Sequence, residues 1–299
     1  AELRESVIVK EVFSNRRTMG LRSFLDDYPD ANRLTAAVDP RFELPALVTC
    51  DESKPMVFES VDGYPGVRAV SNVVSSREMI GTALGVDPDG IIDEVSAAMD
   101  DPTPPDRETA PAFEHVADDP VIDEHLPVPV YYEEYEREYF ASTVVVAEDP
   151  DTGVQNLSFH RMMFDDDNRL VVRLVERHLR DIYERAGENL DVAIMMGVHP
   201  AVEIAAATSF SPDKSELALA NRLQDGDLAT TEFHGLTVPS GAEVVMHATI
   251  TDERAEEGPF VDLSRTWDRT RQQPVIEVHE LHTRPDPISR IIVPGKREH

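Results

Sequence analysis

Residues 140–174 read as strands folded back on themselves, and no other stretch narrows the fold as much. Residues 140–146, 155–164 and 170–174 carry the β-branched and aromatic residues of half-buried strands. Their connections are short and have turn chemistry, first Asp149 to Gly153 and then Asp165-Asp166-Asp167-Asn168. Short turns join antiparallel neighbours, since a parallel pair needs a long crossover. Further strands are predicted at 192–198, 236–239, 243–251 and 274–282, with helices at 176–186, 200–207 and 215–223. Upstream come a helix at 21–28 and strands at 55–60 and 67–73 around the turn Asp62-Gly63. Two helices follow at 75–84 and 90–99, beside the capping candidates Ser76 and Asp89. Strands and helices mix without strict alternation, so the predicted class is α+β rather than a doubly wound sheet.

A segment rich in proline and acid, 100–120, reads as a linker or loosely packed loop. It sets a boundary between an N-terminal α/β domain, 1–118, and a second domain, 119–299. The net charge is −30, and of the 28 basic residues only Lys10, Lys54, Lys214 and Lys296 are lysine. Such a surface repels phosphate backbones and anionic bilayers, which excludes nucleic acid and membrane surfaces as general partners. Many carboxylates with almost no lysine also fit adaptation to high salt, where self-repulsion is screened. Cys50 stands alone, so neither an intrachain disulfide nor a cysteine zinc site is expected. The longest apolar stretch, 192–198, is too short to cross a bilayer, and the opening AELRESVIVK lacks a signal peptide's apolar core. Together these features predict a cytoplasmic protein without membrane insertion.

Phosphate-binding loops, nucleophile elbows and zincin motifs are absent. The cluster His279-Glu280-Leu281-His282 lies on a predicted strand, where positions three apart face opposite ways, so it reads as surface or structural. In Glu257-Gly258-Pro259-Phe260-Val261-Asp262 a Gly-Pro bend separates two acids five positions apart. A bend can bring two carboxylates near one point, a familiar acid–base device. Taken alone, a solvated loop is the simpler reading of so acidic a stretch.

Several motifs occur in a telling order. Asn156-Leu157-Ser158-Phe159-His160-Arg161 comes first, then Arg177-His178, Gly197-Val198-His199-Pro200 and Val238-Pro239-Ser240-Gly241-Ala242-Glu243. Glu257-Gly258-Pro259-Phe260 and His282-Thr283-Arg284-Pro285-Asp286-Pro287 complete the series. This order resembles the UbiD family of prenylated-flavin decarboxylases. Met19-Gly20-Leu21-Arg22-Ser23-Phe24-Leu25 resembles the family's opening helix, and Phe58 to Tyr64 its first strand pair.

The resemblance implies a split β-barrel like that of flavin reductases for 119–299, while the family's C-terminal oligomerisation domain has no counterpart in this sequence. It implies prenylated FMN, supplied by a flavin prenyltransferase. It also implies a divalent cation, usually manganese, held by Asn156, His178 and Glu216, and potassium held by backbone carbonyls of 207–211. Ser158, Arg161, Arg177, His178 and Ser209 are the further cofactor contacts implied. Glu257, Arg161 and Asp262 map onto an acid–arginine–acid catalytic set, with Asp262 as proton donor. Strict alternation would set Asn156 and Arg161 on opposite faces of one strand, so their convergence rests on the resemblance. The implied activity is reversible decarboxylation of an aromatic or α,β-unsaturated acid by a homo-oligomer, dimer or hexamer. The alternative is a non-catalytic flavin-binding or assembly subunit whose C-terminal domain is supplied by a second chain.

Overall fold

Alternating burial organises the largest sheet of the computed structural model, which describes residues 20–187 and 189–299. Met19 and the AELRESVIVK opening lie outside the described residues. Chain order begins with α1 (Leu21–Asp26), β1 (Asn32–Leu34), α2 (Glu43–Val48), β2 (Met56–Phe58), β3 (Arg68–Ser71), α3 (Arg77–Leu84) and α4 (Ile91–Asp100). Next come β4 (Arg107–Glu108), β5 (Glu114–Asp118), α5 (Ile122–His125), β6 (Val130–Tyr132), β7 (Tyr135–Phe140), β8 (Val144–Glu148), β9 (Gln155–Phe159), β10 (Met162–Asp166) and β11 (Arg169–Val172). The remainder is α6 (His178–Arg185), β12 (Leu190–Met196), α7 (Pro200–Ala207), α8 (Glu216–Arg222), β13 (Ala229–Phe233), β14 (Leu236–Pro239), β15 (Val244–Glu257), β16 (Phe260–Val261), β17 (Trp267–Asp268), β18 (Arg271–Thr283) and β19 (Ile288–Arg290).

Ten strands form one mixed-length sheet in the order β6-β7-β10-β11-β18-β15-β12-β8-β9, with β5 added against β18. On β12, Ala193 and Met195 join the core beneath α7 and α8, while Val192, Ile194 and Met196 join the core on the other face. That second core gathers side chains from β8, β12, β15, β18, β11 and β10 into one cluster. Both faces are apolar because both are covered, which is why 192–198 reads as a continuous apolar run.

The 55–60 and 67–73 strands pair antiparallel as predicted, Met56 opposite Ser71. Their four-stranded sheet runs β1-β2-β3-β19, so the chain's last strand returns to the N-terminal unit. The proline-rich segment is not a free linker. Its Arg107–Glu108 pairs with β13, and Glu114–Asp118 pairs with β18. Prolines leave the pieces between them free to pair, a possibility that composition does not register. Contacts of this kind cross position 118 and join the two halves of the chain.

The predicted strand 155–164 is two strands. It breaks at His160-Arg161, where β9 leaves its partner β8 and β10 takes up β7 and β11. On a continuous strand these neighbours would point to opposite faces; at the break both line one cavity.

Candidate active site

The cavity at this break has a volume of about 440 Å³, within the range of small-molecule and cofactor sites. Phe159, Phe260, Ile204 and Ile292 give it apolar walls, and Arg161 and Arg173 give it positive charge. Glu203 also lines it, but Arg290, fully buried, holds that carboxylate at 2.9 and 3.1 Å and Glu298 on its other side.

Arg161 grips Glu257 with a two-point fork, Nε to Oε1 at 2.8 Å and Nη2 to Oε2 at 3.0 Å. Glu257 is completely buried, and the Tyr139 hydroxyl donates to it at 3.1 Å. Burial, and next the Glu257 charge, push the Tyr139 phenol far up, so it stays a donor. The Arg161 guanidinium stacks 4.4 Å above the Phe260 ring. Its Nη2 also reaches Asp268 at 3.1 Å, which Arg271 holds at 2.6 Å. Burial works against ionisation of Asp268, but Arg271 and Arg161 outweigh it and keep the carboxyl below its usual range.

Asp262 stands apart from this network. It is exposed, and its Oδ1 accepts the backbone N–H of Leu263 at 2.7 Å. His299 lines the cavity, and Asp262 is not among the lining residues. The structure therefore brings Arg161 and Glu257 together as expected, with Asp268 rather than Asp262 as the second acid in contact.

A smaller cavity of about 130 Å³ holds Asn156 and His178, together with Arg185 and Lys214. Glu216 is drawn to its edge as the first residue of α8, whose cap Ser215 accepts from Leu217 N. Its buried carboxylate takes the Asn156 amide on both oxygens at 3.2 Å and Leu157 N at 2.8 Å. Burial raises its pKa to about 7 despite those bonds. Among the described residues no cationic side chain pairs with it.

The two cavities are joined by Asn156, Ser158 and His160, alternate residues leading out of β9. Ser158 Oγ lies 3.0 Å from Asn156 Oδ1 and 3.0 Å from His160 Nε2. His160 Nδ1 faces the carbonyl of Arg173 at 3.1 Å, so it must carry the proton. Burial lowers the His160 pKa to about 4, leaving Nε2 an acceptor. Ser158 Oγ donates to Asn156 Oδ1, and Nε2 is the second acceptor facing the same hydroxyl. Together they offer an oriented carbonyl oxygen, a nearby imidazole and a buried carboxylate without a counter-charge. This donor set fits a hard divalent cation; Arg185, which lines the same cavity, is held by Asp149 at 2.6 Å and Asp151 at 3.3 Å. Sequence reasoning did not single out His160, although polar residues at alternate positions on an otherwise apolar strand were the available signal. The remaining expected contacts are peripheral. Arg177 is exposed at the N-cap of α6, and Ser209 is exposed after α7.

Two family models cover the chain. The 3-octaprenyl-4-hydroxybenzoate carboxy-lyase N-terminal domain matches residues 23–99, and the Rift-related domain of the same enzyme matches residues 105–297. The chain belongs to the UbiD family. Among UbiD relatives, the anhydromevalonate phosphate decarboxylases of Methanothermobacter thermautotrophicus and Methanocaldococcus jannaschii are each 35% identical, over 78% and 87% of this chain. The chain spans 56% and 62% of the length of those two proteins. The UbiD-class enzyme HmfF from Pelotomaculum thermopropionicum, solved with FMN, superposes with a TM-score of 0.88 at 31% identity. That match covers 94% of this chain and 66% of HmfF. An evolved dimeric form of HmfF with prFMN gives a TM-score of 0.89. These likenesses establish the α+β UbiD fold. No helix among the described residues is long and apolar enough to cross a membrane.

Proposed function

We propose that this chain forms the cofactor-binding part of a reversible, non-oxidative decarboxylase acting on an aromatic or α,β-unsaturated carboxylic acid. The observation that carries the reading is the row Asn156–Ser158–His160, which joins a cation end to an apolar cavity closed by the Arg161–Glu257 fork. Decarboxylase relatives and HmfF complexes with FMN and prFMN support it. In this reading Asn156, His178 and Glu216 hold Mn²⁺ or another divalent ion at the phosphate of prenylated FMN, and carbonyls of 207–211 hold potassium. When bound, the flavin supplies the electron sink for loss of carbon dioxide.

The protein's own contribution is orientation and one proton. Arg161 and Arg173 attract the substrate carboxylate into an apolar cleft, where a guanidinium binds it more strongly than in water. Glu257 fixes the Arg161 plane, and Tyr139 fixes Glu257. Asp268, held anionic by two arginines, positions Arg161 and is a poor donor. The donor role falls to Asp262, which must turn inward from its exposed position. A homo-oligomer, dimer or hexamer, in the cytoplasm, supplied by a flavin prenyltransferase, completes the proposal.

The test is a native mass spectrum of the full-length protein co-produced with a flavin prenyltransferase, followed by carbon dioxide release from a panel of such acids. We expect bound prenylated flavin and turnover of at least one acid. Bound flavin with no turnover across the panel would instead favour a flavin-binding or assembly subunit.

A further inference from the structure

Five of the ten histidines, His115, His234, His247, His279 and His282, gather around Glu280, away from the Arg161–Glu257 fork. From His247 to Glu257 is ten residues along β15, roughly 30 Å at the rise of a strand. A register shift creates the patch. His247 pairs with Glu280 but the next residue, Ala248, pairs with Val278, leaving His279 as a bulge. A bulge sets two residues opposite one and re-aims their side chains. His279 therefore meets the His247 ring at 5.3 Å while its neighbour Glu280 meets His234 and His282 at 3.1 and 2.9 Å. The alternation that separated this cluster on paper fails at the bulge.

We infer that His234, His247 and Glu280 bind one zinc-class divalent cation on this outer face. The ligand atoms of these three lie within 4.8 Å of one another, and among the described residues they are the one such group of three His, Cys, Asp or Glu. His234 Nε2 to Glu280 Oε2 is 3.1 Å, close to the roughly 3.3 Å between ligand atoms set by tetrahedral bonds of about 2.05 Å. The His234 and His247 rings stack at 3.9 Å and 2°; their lone pairs lie in parallel planes, so ion binding requires the exposed His234 ring to turn out of the stack. His234 sits at an exposed β13–β14 turn, which leaves room for water as a further ligand. Thr249 Oγ1, between His279 Nε2 at 2.8 Å and Asp191 at 2.7 Å, fixes the imidazole beside the site. Two imidazoles and one carboxylate select zinc, cobalt or nickel over magnesium or manganese, the reverse of the oxygen-rich set at Asn156 and Glu216. The ion would clamp the β13–β14 hairpin to the long β15–β18 ladder.

The inference is independent of the decarboxylase reading, and so is its test. Full-length protein is titrated with Co²⁺, read by visible absorption, and with Zn²⁺, counted after desalting. We expect one equivalent that His178→Ala keeps and His234→Ala loses, with Glu280→Gln weakening it at least tenfold. His234 is exposed, so its variant should fold, which circular dichroism checks; His247→Asn provides a second removal. If His234→Ala and His247→Asn both retain wild-type zinc stoichiometry and affinity, or if the equivalent disappears only with His178→Ala, the site does not exist.

Discussion

Replacing Arg161 by Met should destabilise the protein by about 3–5 kcal/mol at neutral pH, the cost of leaving a buried charge without its partner. Glu257 is completely buried and pairs with Arg161, whose side chain is 14% exposed. After the change Glu257 keeps one hydrogen bond from Tyr139. Met spans the same space over Phe260, so packing loss is small beside the electrostatic cost. For a chain of this size the loss corresponds to a drop in melting temperature of roughly 6–20 °C. Urea unfolding at high potassium chloride, with slopes compared between variants, gives the free energy. Glu257→Gln in the Arg161→Met background should cost much less than in the wild type, because the unpaired charge is then gone. A coupling of about 1.5 kcal/mol or more is expected. The reasoning is refuted if Arg161→Met lies within about 1 kcal/mol of wild type, or if the two changes simply add.

Asp262→Asn should retain flavin yet lose turnover by at least ~100-fold, whereas Asp268→Asn should raise KM more than it lowers kcat; the reverse pattern would move the donor to Asp268. His178→Ala should lose Mn²⁺ and flavin together, measured by metal analysis and absorbance, and full retention of both would dismiss the ligand set. The folded-state pKa values of His160 and His199 are lowered to about 4 by burial. Both lie below the unfolded value near 6.5, so their stabilising contribution is present above pH 6.5 and lost as pH falls towards 4. His199→Asn should flatten the acid limb of stability against pH relative to wild type, and an unchanged limb would count against the assignment. With a net charge of −30, melting temperature should rise from 0.1 M to multimolar potassium chloride, and equal or higher stability in dilute buffer would remove the high-salt reading.

The elements that could be read from sequence are those whose signal is local. Ser76 caps α3 by accepting from Met79 N, and Ser215 caps α8, both as side-chain chemistry dictates. Val192 to Met196 alternate between two cores because both faces are covered. What was hidden depends on pairing. The break at His160-Arg161 and the bulge at His279 each change where a side chain points without changing the apolar pattern around it. Strand alternation therefore separated Asn156 from Arg161, and His279 from His282, where the backbone departs from it. Resemblance pointed to Arg161, Glu257, Asn156 and Glu216, which the fold brings together in pairs, but not to the hydrogen-bonded part of Ser158 and His160 between them. Asp268 escaped notice because its role comes from β17 folding back on β16, a pairing of two residues that periodicity cannot signal.

The central claim is that this cavity removes a carboxyl group and returns a proton to the same carbon. The most direct measurement is the product formed by the full-length flavin-loaded enzyme in D₂O, read by NMR. The account predicts one deuteron at the carbon that carried the carboxylate, with Arg161→Met abolishing its incorporation while flavin stays bound. Product labelled elsewhere, or labelled equally well by the Arg161 variant, would contradict it.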